Sequence, residues 1–170
     1  MTRFIKLSAP LLAIAAILTL VGVTQAANDD VSLKGVDLGT HVYGPQVDAD
    51  ALKGKVVVFE YWGDRCPPCI RAIPHLVKIQ EKYGDKKLHI VANQVWTKDT
   101  EAAKKAWKNA GGSNAISVVN HGKLEGAKLK GVPHSFIFDH TGKLLWHGHP
   151  ANKKFDETIK DATEKLPSKS

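Results

Sequence analysis

The stretch that most constrains how this chain folds is residues 56–69. Val56-Val-Val-Phe-Glu-Tyr-Trp62 is a β-branched and aromatic run broken by a single charge. Runs of that length and type fill the interior of a parallel sheet, covered on both faces. After Gly63-Asp-Arg65 come Cys66-Pro-Pro-Cys69, which hold the only two cysteines in the chain. Pro67 and Pro68 suit the opening turn of a helix, where a missing N–H removes no hydrogen bond. The segment therefore predicts a buried strand giving way to a helix, with Cys66 at the junction.

Strand and helix signals alternate on either side. Residues 27–46 are polar and irregular, reading as a loop or short strand, and residues 48–54 read as one helical turn closed by Gly54. From Pro67 to about Tyr83, Ile70, Ile73, Leu76, Val77 and Ile79 recur on one side of a helix, and Gly84 stands just past its end. Residues 88–92 read as a strand, 100–110 as a helix stopped by Gly111-Gly112, and 115–119 as a further strand. Two runs, 135–138 and 143–146, flank Asp139-His-Thr-Gly142, which has hairpin-turn chemistry, and residues 155–166 form a last amphipathic helix. No repeat or linker interrupts this order, so residues 27–170 read as one α/β domain.

Residues 1–26 read as an export signal. Arg3 and Lys6 give a positive start, residues 7–23 are uncharged and mostly apolar, and Thr24-Gln25-Ala26 ends on the small residue a signal peptidase requires. Cleavage there leaves 144 of the 170 residues, enough to bury a core. The competing reading keeps the segment as a membrane anchor, because no charge falls between Lys6 and Asp29 and a span needs about 20 apolar residues. Either way the folded part sits outside the cytoplasm, in a periplasm or its equivalent, where thiols meet oxidising surroundings. A chain that is 43% hydrophobic and 24% charged is neither disordered nor a multi-span membrane protein. Its formal charge of +7 includes Arg3 and Lys6, and the remaining basic residues are spread along the chain, with Lys86-Lys87, Lys104-Lys105 and Lys153-Lys154 as isolated pairs and without the arginine-rich patch that nucleic acid binding calls for.

Two cysteines three apart make a poor staple. Closing so small a ring removes only about 2 kcal/mol of chain entropy, against about 4.7 for a hundred-residue loop. Redox chemistry explains the spacing better. At a helix start, backbone N–H groups point at the Cys66 sulfur and the helix dipole favours negative charge, so a thiolate is stabilised. Cys66 is then the nucleophile that opens a partner's disulfide. Cys69, one turn further in and more buried, resolves the mixed disulfide.

Lys53-Gly-Lys-Val-Val-Val-Phe-Glu-Tyr-Trp-Gly-Asp-Arg-Cys-Pro-Pro-Cys69, Pro74 five residues on, and Gly131-Val-Pro-His-Ser-Phe-Ile-Phe-Asp-His-Thr-Gly142 resemble the exported TlpA/ResA-type thiol-disulfide oxidoreductases. The resemblance runs over about residues 48–166. It implies a thioredoxin fold, a central mixed β-sheet flanked by helices with a C-terminal β-hairpin and helix. It also implies a cofactor-free enzyme whose redox-active disulfide is Cys66–Cys69. A cis-proline at Pro133 would face the cysteines and turn the Val132 backbone towards them, where it pairs with an extended substrate. Trp62 would stand beside the site and join Val132 and Pro133 in substrate contact. Glu60 interrupts the apolar strand where such proteins hold a buried acid. Its raised pKa suits it to take the proton from Cys69 through water, and an unpaired buried carboxylate would otherwise be costly to keep. Implied partners are protein thiols and disulfides, with apocytochromes in cytochrome c maturation, metallochaperones and misoxidised proteins as client classes.

Two positions depart from the pattern. Ala72 stands three residues after Cys69, where these proteins often carry Glu, and Arg65 precedes Cys66, where thioredoxin has Trp. Either the Arg65 guanidinium favours the Cys66 thiolate or it forms a solvated pair with Asp64. Strongly oxidising relatives have His between the cysteines. Pro67-Pro68 supplies no such charge, so the chain reads as a reductant or as a protein of middling potential, and a reductant requires a membrane electron donor of the thiol-reductase type. Two other classes stay open. Cys66, Cys69 and one of His134, His147 and His149 would make a copper or zinc carrier on the same fold, although such carriers usually separate their cysteines by three residues. A redox-inactive binding module would not need both cysteines.

Overall fold

All seven residues of Val56–Trp62 are buried, and they form an interior strand of the sheet, as their composition requires. A computed structural model describes residues 31–85 and 87–166; the export-signal segment lies outside the described residues. The strands are β1 (Thr40–Tyr43), β2 (Val56–Trp62), β3 (Leu88–Gln94), β4 (Ser117–Asn120), β5 (His134–Phe138) and β6 (Leu144–Gly148). The helices are α1 (Pro67–Tyr83), α2 (Thr100–Asn109) and α3 (Lys153–Glu164). One mixed sheet in the order β1-β4-β3-β2-β5-β6 results. Strands β2, β3 and β4 run parallel, and β5 lies antiparallel to β2 with Glu60 opposite Ser135. Antiparallel β6 and β1 complete the sheet at its two edges.

Side chains alternate across β2, so the strand serves two clusters. Val56, Val58 and Trp62 meet Ile73 and Leu76 of α1, Trp107 of α2 and Phe155 and Ile159 of α3. Val57, Phe59 and Tyr61 face the other way, against Phe136, Phe138, Val31, Leu52 and Leu124. Three helices thus contribute to the first cluster, while irregular segments close the second.

Local differences from the sequence reading have simple causes. Residues 48–54 form successive turns instead of a helical turn. Asp48 Oδ1 takes the Ala51 N–H at 2.8 Å, and the Lys53 N–H reaches back to the Asp50 carbonyl, so side-chain capping and short-range bonds replace a helical ladder. On α1, Ile70 and Val77 are only half-buried, and Gln80 takes an interior place because its Oε1 accepts the Ile90 N–H at 2.9 Å. The last helix starts two residues early, where the Asn152 side chain accepts the Lys154 N–H and caps it.

A candidate redox site at the start of helix α1

Cys66 is the N-cap of α1, in extended conformation, and Pro67 and Pro68 fill the first two helical positions. The prolines leave the first available helix donor to Cys69, whose N–H points at the Cys66 sulfur at 3.3 Å. Cys66 and Cys69 are joined as a disulfide with Cα atoms 5.2 Å apart. A negative charge developing on the Cys66 sulfur would therefore meet an aligned donor and the positive end of a 17-residue helix. Cys69 is the more buried of the pair, as expected, but by a narrow margin, at 1% exposure against 2% for Cys66. Cys66 is covered by its own turn, where its N–H donates to the Gly63 carbonyl at 3.2 Å, and by the segment around Val132.

The Val132–Pro133 peptide bond is cis, and the Val132 carbonyl oxygen lies 3.7 Å from the Cys66 sulfur. These elements, 66 residues apart in the chain, meet because β5 pairs with β2 and so brings its own start beside the start of α1.

Glu60 is 1% exposed and, by strand alternation, shares its face with Val58, Trp62 and the cluster that holds both cysteines. Its Oε2 accepts the hydroxyl hydrogen of buried Ser135 on β5, and its Oε1 has no partner among the described residues. Burial pushes its pKa up to about 8, against the opposing pull of the Ser135 hydrogen bond. Glu60 accordingly holds a proton at neutral pH, in a place where water-exposed carboxyls do not.

Trp62 has a different role from the one expected. At 1% exposure it packs 5.5 Å from Trp107 with the ring planes tilted by 56°, behind the site, and offers no surface to a client. Arg65 is turned to solvent with its Nε 3.7 Å from Asp64, whose side chain is largely buried, so the solvated-pair reading holds only for the guanidinium. His134 and His147 do meet, Nε2 to Nδ1 at 3.0 Å, but among the described residues no three His, Cys, Asp or Glu side chains converge to hold a metal ion. Two residues escaped the sequence reading. Ser135 is identifiable only from its register opposite Glu60. Trp96 stands half-exposed over Gly63, and its signal, a lone Trp in a polar loop after a strand, has no periodicity to mark it.

Comparison with known proteins agrees with this geometry. Residues 25–166 match the Redoxin family. The thiol-disulfide oxidoreductase ResA of Bacillus thuringiensis (strain Al Hakam) is 31% identical over 108 residues, 62% of this chain and 61% of the relative, so the chain spans about three fifths of that protein's length. Among solved structures, a thiol:disulfide interchange protein of the thioredoxin family from Chlorobium tepidum superposes with a TM-score of 0.60 at 23% identity, covering 74% of this chain and 91% of the other. A thiol-disulfide isomerase from Corynebacterium glutamicum gives 0.63 at 21%, covering 79% and 95%. With a thioredoxin fold, a cysteine pair at the head of α1 and a family match over most of its length, the chain belongs to the Redoxin family and is of the TlpA/ResA type.

Proposed function

We propose that this chain is an exported thiol-disulfide oxidoreductase that passes electrons from Cys66 and Cys69 to disulfides of protein clients. The observation that carries the reading is the Cys66 sulfur at the N-cap of α1, accepting the Cys69 N–H at 3.3 Å. In the reduced protein the Cys66 thiolate attacks one sulfur of a client disulfide. That S–S bond breaks, a mixed disulfide forms, and the client's other sulfur leaves as a thiolate that takes a proton from water. Glu60, left ionised when it gave its proton to Cys69 during reduction, takes that proton back, directly or through water, and Cys69 attacks the Cys66 sulfur. The mixed bond breaks and the client's second sulfur departs, so the client has gained two electrons and Cys66 and Cys69 are joined. When a dithiol donor reopens this disulfide, Glu60 returns the proton to Cys69, a task that suits a carboxyl with a pKa of about 8. The main chain at Val132, held against Cys66 by the Pro133 turn, supplies strand-like pairing for the client segment.

Pro67-Pro68 puts no charge between the cysteines, so the reduced state lacks the extra stabilisation that makes strong oxidants, and electron flow runs to the client. Residues 1–26 direct export, by a cleaved signal or a retained anchor, and a membrane thiol reductase supplies the electrons. Titration of the purified domain in dithiothreitol and glutathione buffers tests the direction. A potential well below the glutathione couple supports a reductant, whereas one near the strong oxidants reverses the flow. Copper bound tightly with no turnover would favour the carrier reading. Trapping clients on a Cys69→Ser variant identifies the substrate class.

A further inference from the structure

We propose that Trp96 is a client-recognition residue: its indole, held over Gly63 beside the cysteine pair, is the surface on which an apolar or aromatic side chain next to the client's cysteine is laid. The inference rests on the thiol-exchange reading and adds to it the chemistry of the client segment.

A single exposed apolar residue needs no explanation by itself. Trp96, at 48% exposure, is distinguished by how firmly it is held. Gln94, wholly buried at the end of β3, uses every hydrogen-bonding position of its amide to shape the loop that carries the indole. Its Oε1 accepts the N–H groups of Trp96 and Thr97. Its Nε2 donates to the Thr97 carbonyl at 2.8 Å and to Asn120 Oδ1 at 3.1 Å. The Val95 N–H adds a bond to the Trp62 carbonyl at 3.0 Å. The ring then lies so close to Gly63 that a Cβ there would come within 2.4 Å of its Cδ2 atom. Gly63 does not occupy the left-handed region, so the indole is what demands a glycine at this position. The carbonyl of the same Gly63 accepts the Cys66 N–H, so the residue beneath the indole belongs to the turn that carries the reactive sulfur.

A large aromatic whose conformation is already set in the free protein presents contact area to a ligand at little further entropy cost. Its partner in the mixed disulfide is the polypeptide on either side of the client's cysteine. Apolar or aromatic side chains there gain most from a π surface.

The test uses the reduced protein and three disulfides: two disulfide-linked peptides that differ only in carrying Phe or Ser on both sides of the cysteine, and hydroxyethyl disulfide, too small to reach the indole. Second-order rate constants are measured for each. The expected result is that the unaltered protein favours the Phe peptide over the Ser peptide by about tenfold, the size of one apolar contact. Trp96→Ala brings that ratio near one, and Trp96→Phe keeps most of it. Gly63→Ala, which displaces the ring without removing it, also lowers the ratio. The proposal is overturned if the unaltered protein shows no preference, if Trp96→Ala retains it, or if Trp96→Ala slows all three disulfides by the same factor, since that marks a structural role. Failure of the unaltered protein to react even with hydroxyethyl disulfide removes the thiol-exchange reading itself, a result distinct from loss of the preference alone.

Discussion

One oxygen of Glu60 accepts from Ser135 and the other faces no donor among the described residues, so little offsets the cost of ionising this carboxyl inside the protein. With its pKa raised to about 8, the native state keeps a proton that the unfolded chain releases from about pH 4.5 upward. The native state thus binds more protons between those limits, and the Glu60 contribution to stability falls as pH rises through that window. Glu60→Gln should flatten this part of the stability curve, measured by denaturant unfolding at pH 5, 7 and 9. It should also abolish an inflection near pH 8 in the rate at which client is released from the mixed disulfide. An inflection that persists in the variant assigns the proton transfer elsewhere. Ser135→Ala removes the hydrogen bond that holds the Glu60 pKa down, so the inflection moves to higher pH, and Ser135→Thr should restore it.

At the level of elements, two contacts secure the sheet that positions the site. His89 on β3 meets Ser117 Oγ on β4 at 2.8 Å, and that hydroxyl donates to the Pro45 carbonyl at 2.6 Å, tying the segment before β2 to both strands. Since the Ser117 hydrogen is committed to Pro45, His89 Nε2 is the donor to Ser117. Burial, and secondarily the Lys55 charge, push the His89 pKa down to about 4. The unfolded chain takes up this proton from about pH 6.5 downward, so the stability His89 supplies is lost as pH falls from about 6.5 to 4. Thermal unfolding of His89→Gln should show a smaller drop between pH 7 and 4.5 than the unaltered protein; an equal drop contradicts the assignment. The second contact is Trp107 of α2, buried against Trp62 with its Nε1–H on the Ser113 carbonyl at 3.1 Å. Trp107→Ala should cost about 3–5 kcal/mol in denaturant unfolding, and it removes the support behind the strand that delivers Cys66.

Across the whole molecule the Glu60 and His89 slopes oppose each other between about pH 4.5 and 6.5, so single variants are needed to separate them. The same scale shows which features were legible in the sequence. Strand β2, helix α1 and the hairpin of β5 and β6 came from runs whose periodicity and turn residues lie next to one another in the chain. The cis bond before Pro133 and the buried acid at position 60 followed from family resemblance. What escaped depends on pairing between distant segments: Ser135 matters through its register opposite Glu60, and Trp96 through Gln94 and Gly63. Trp62 was misplaced for the same reason, since only the approach of α2 shows that its ring faces Trp107 and away from clients. A strand delivers Cys66 to the positive end of α1, and its thiol should be acidic for that reason. The pH dependence of Cys66 alkylation in the reduced Cys69→Ser protein should then have a midpoint well below the value of about 8.5 for an ordinary thiol, and a midpoint at or above that value contradicts this origin of its reactivity.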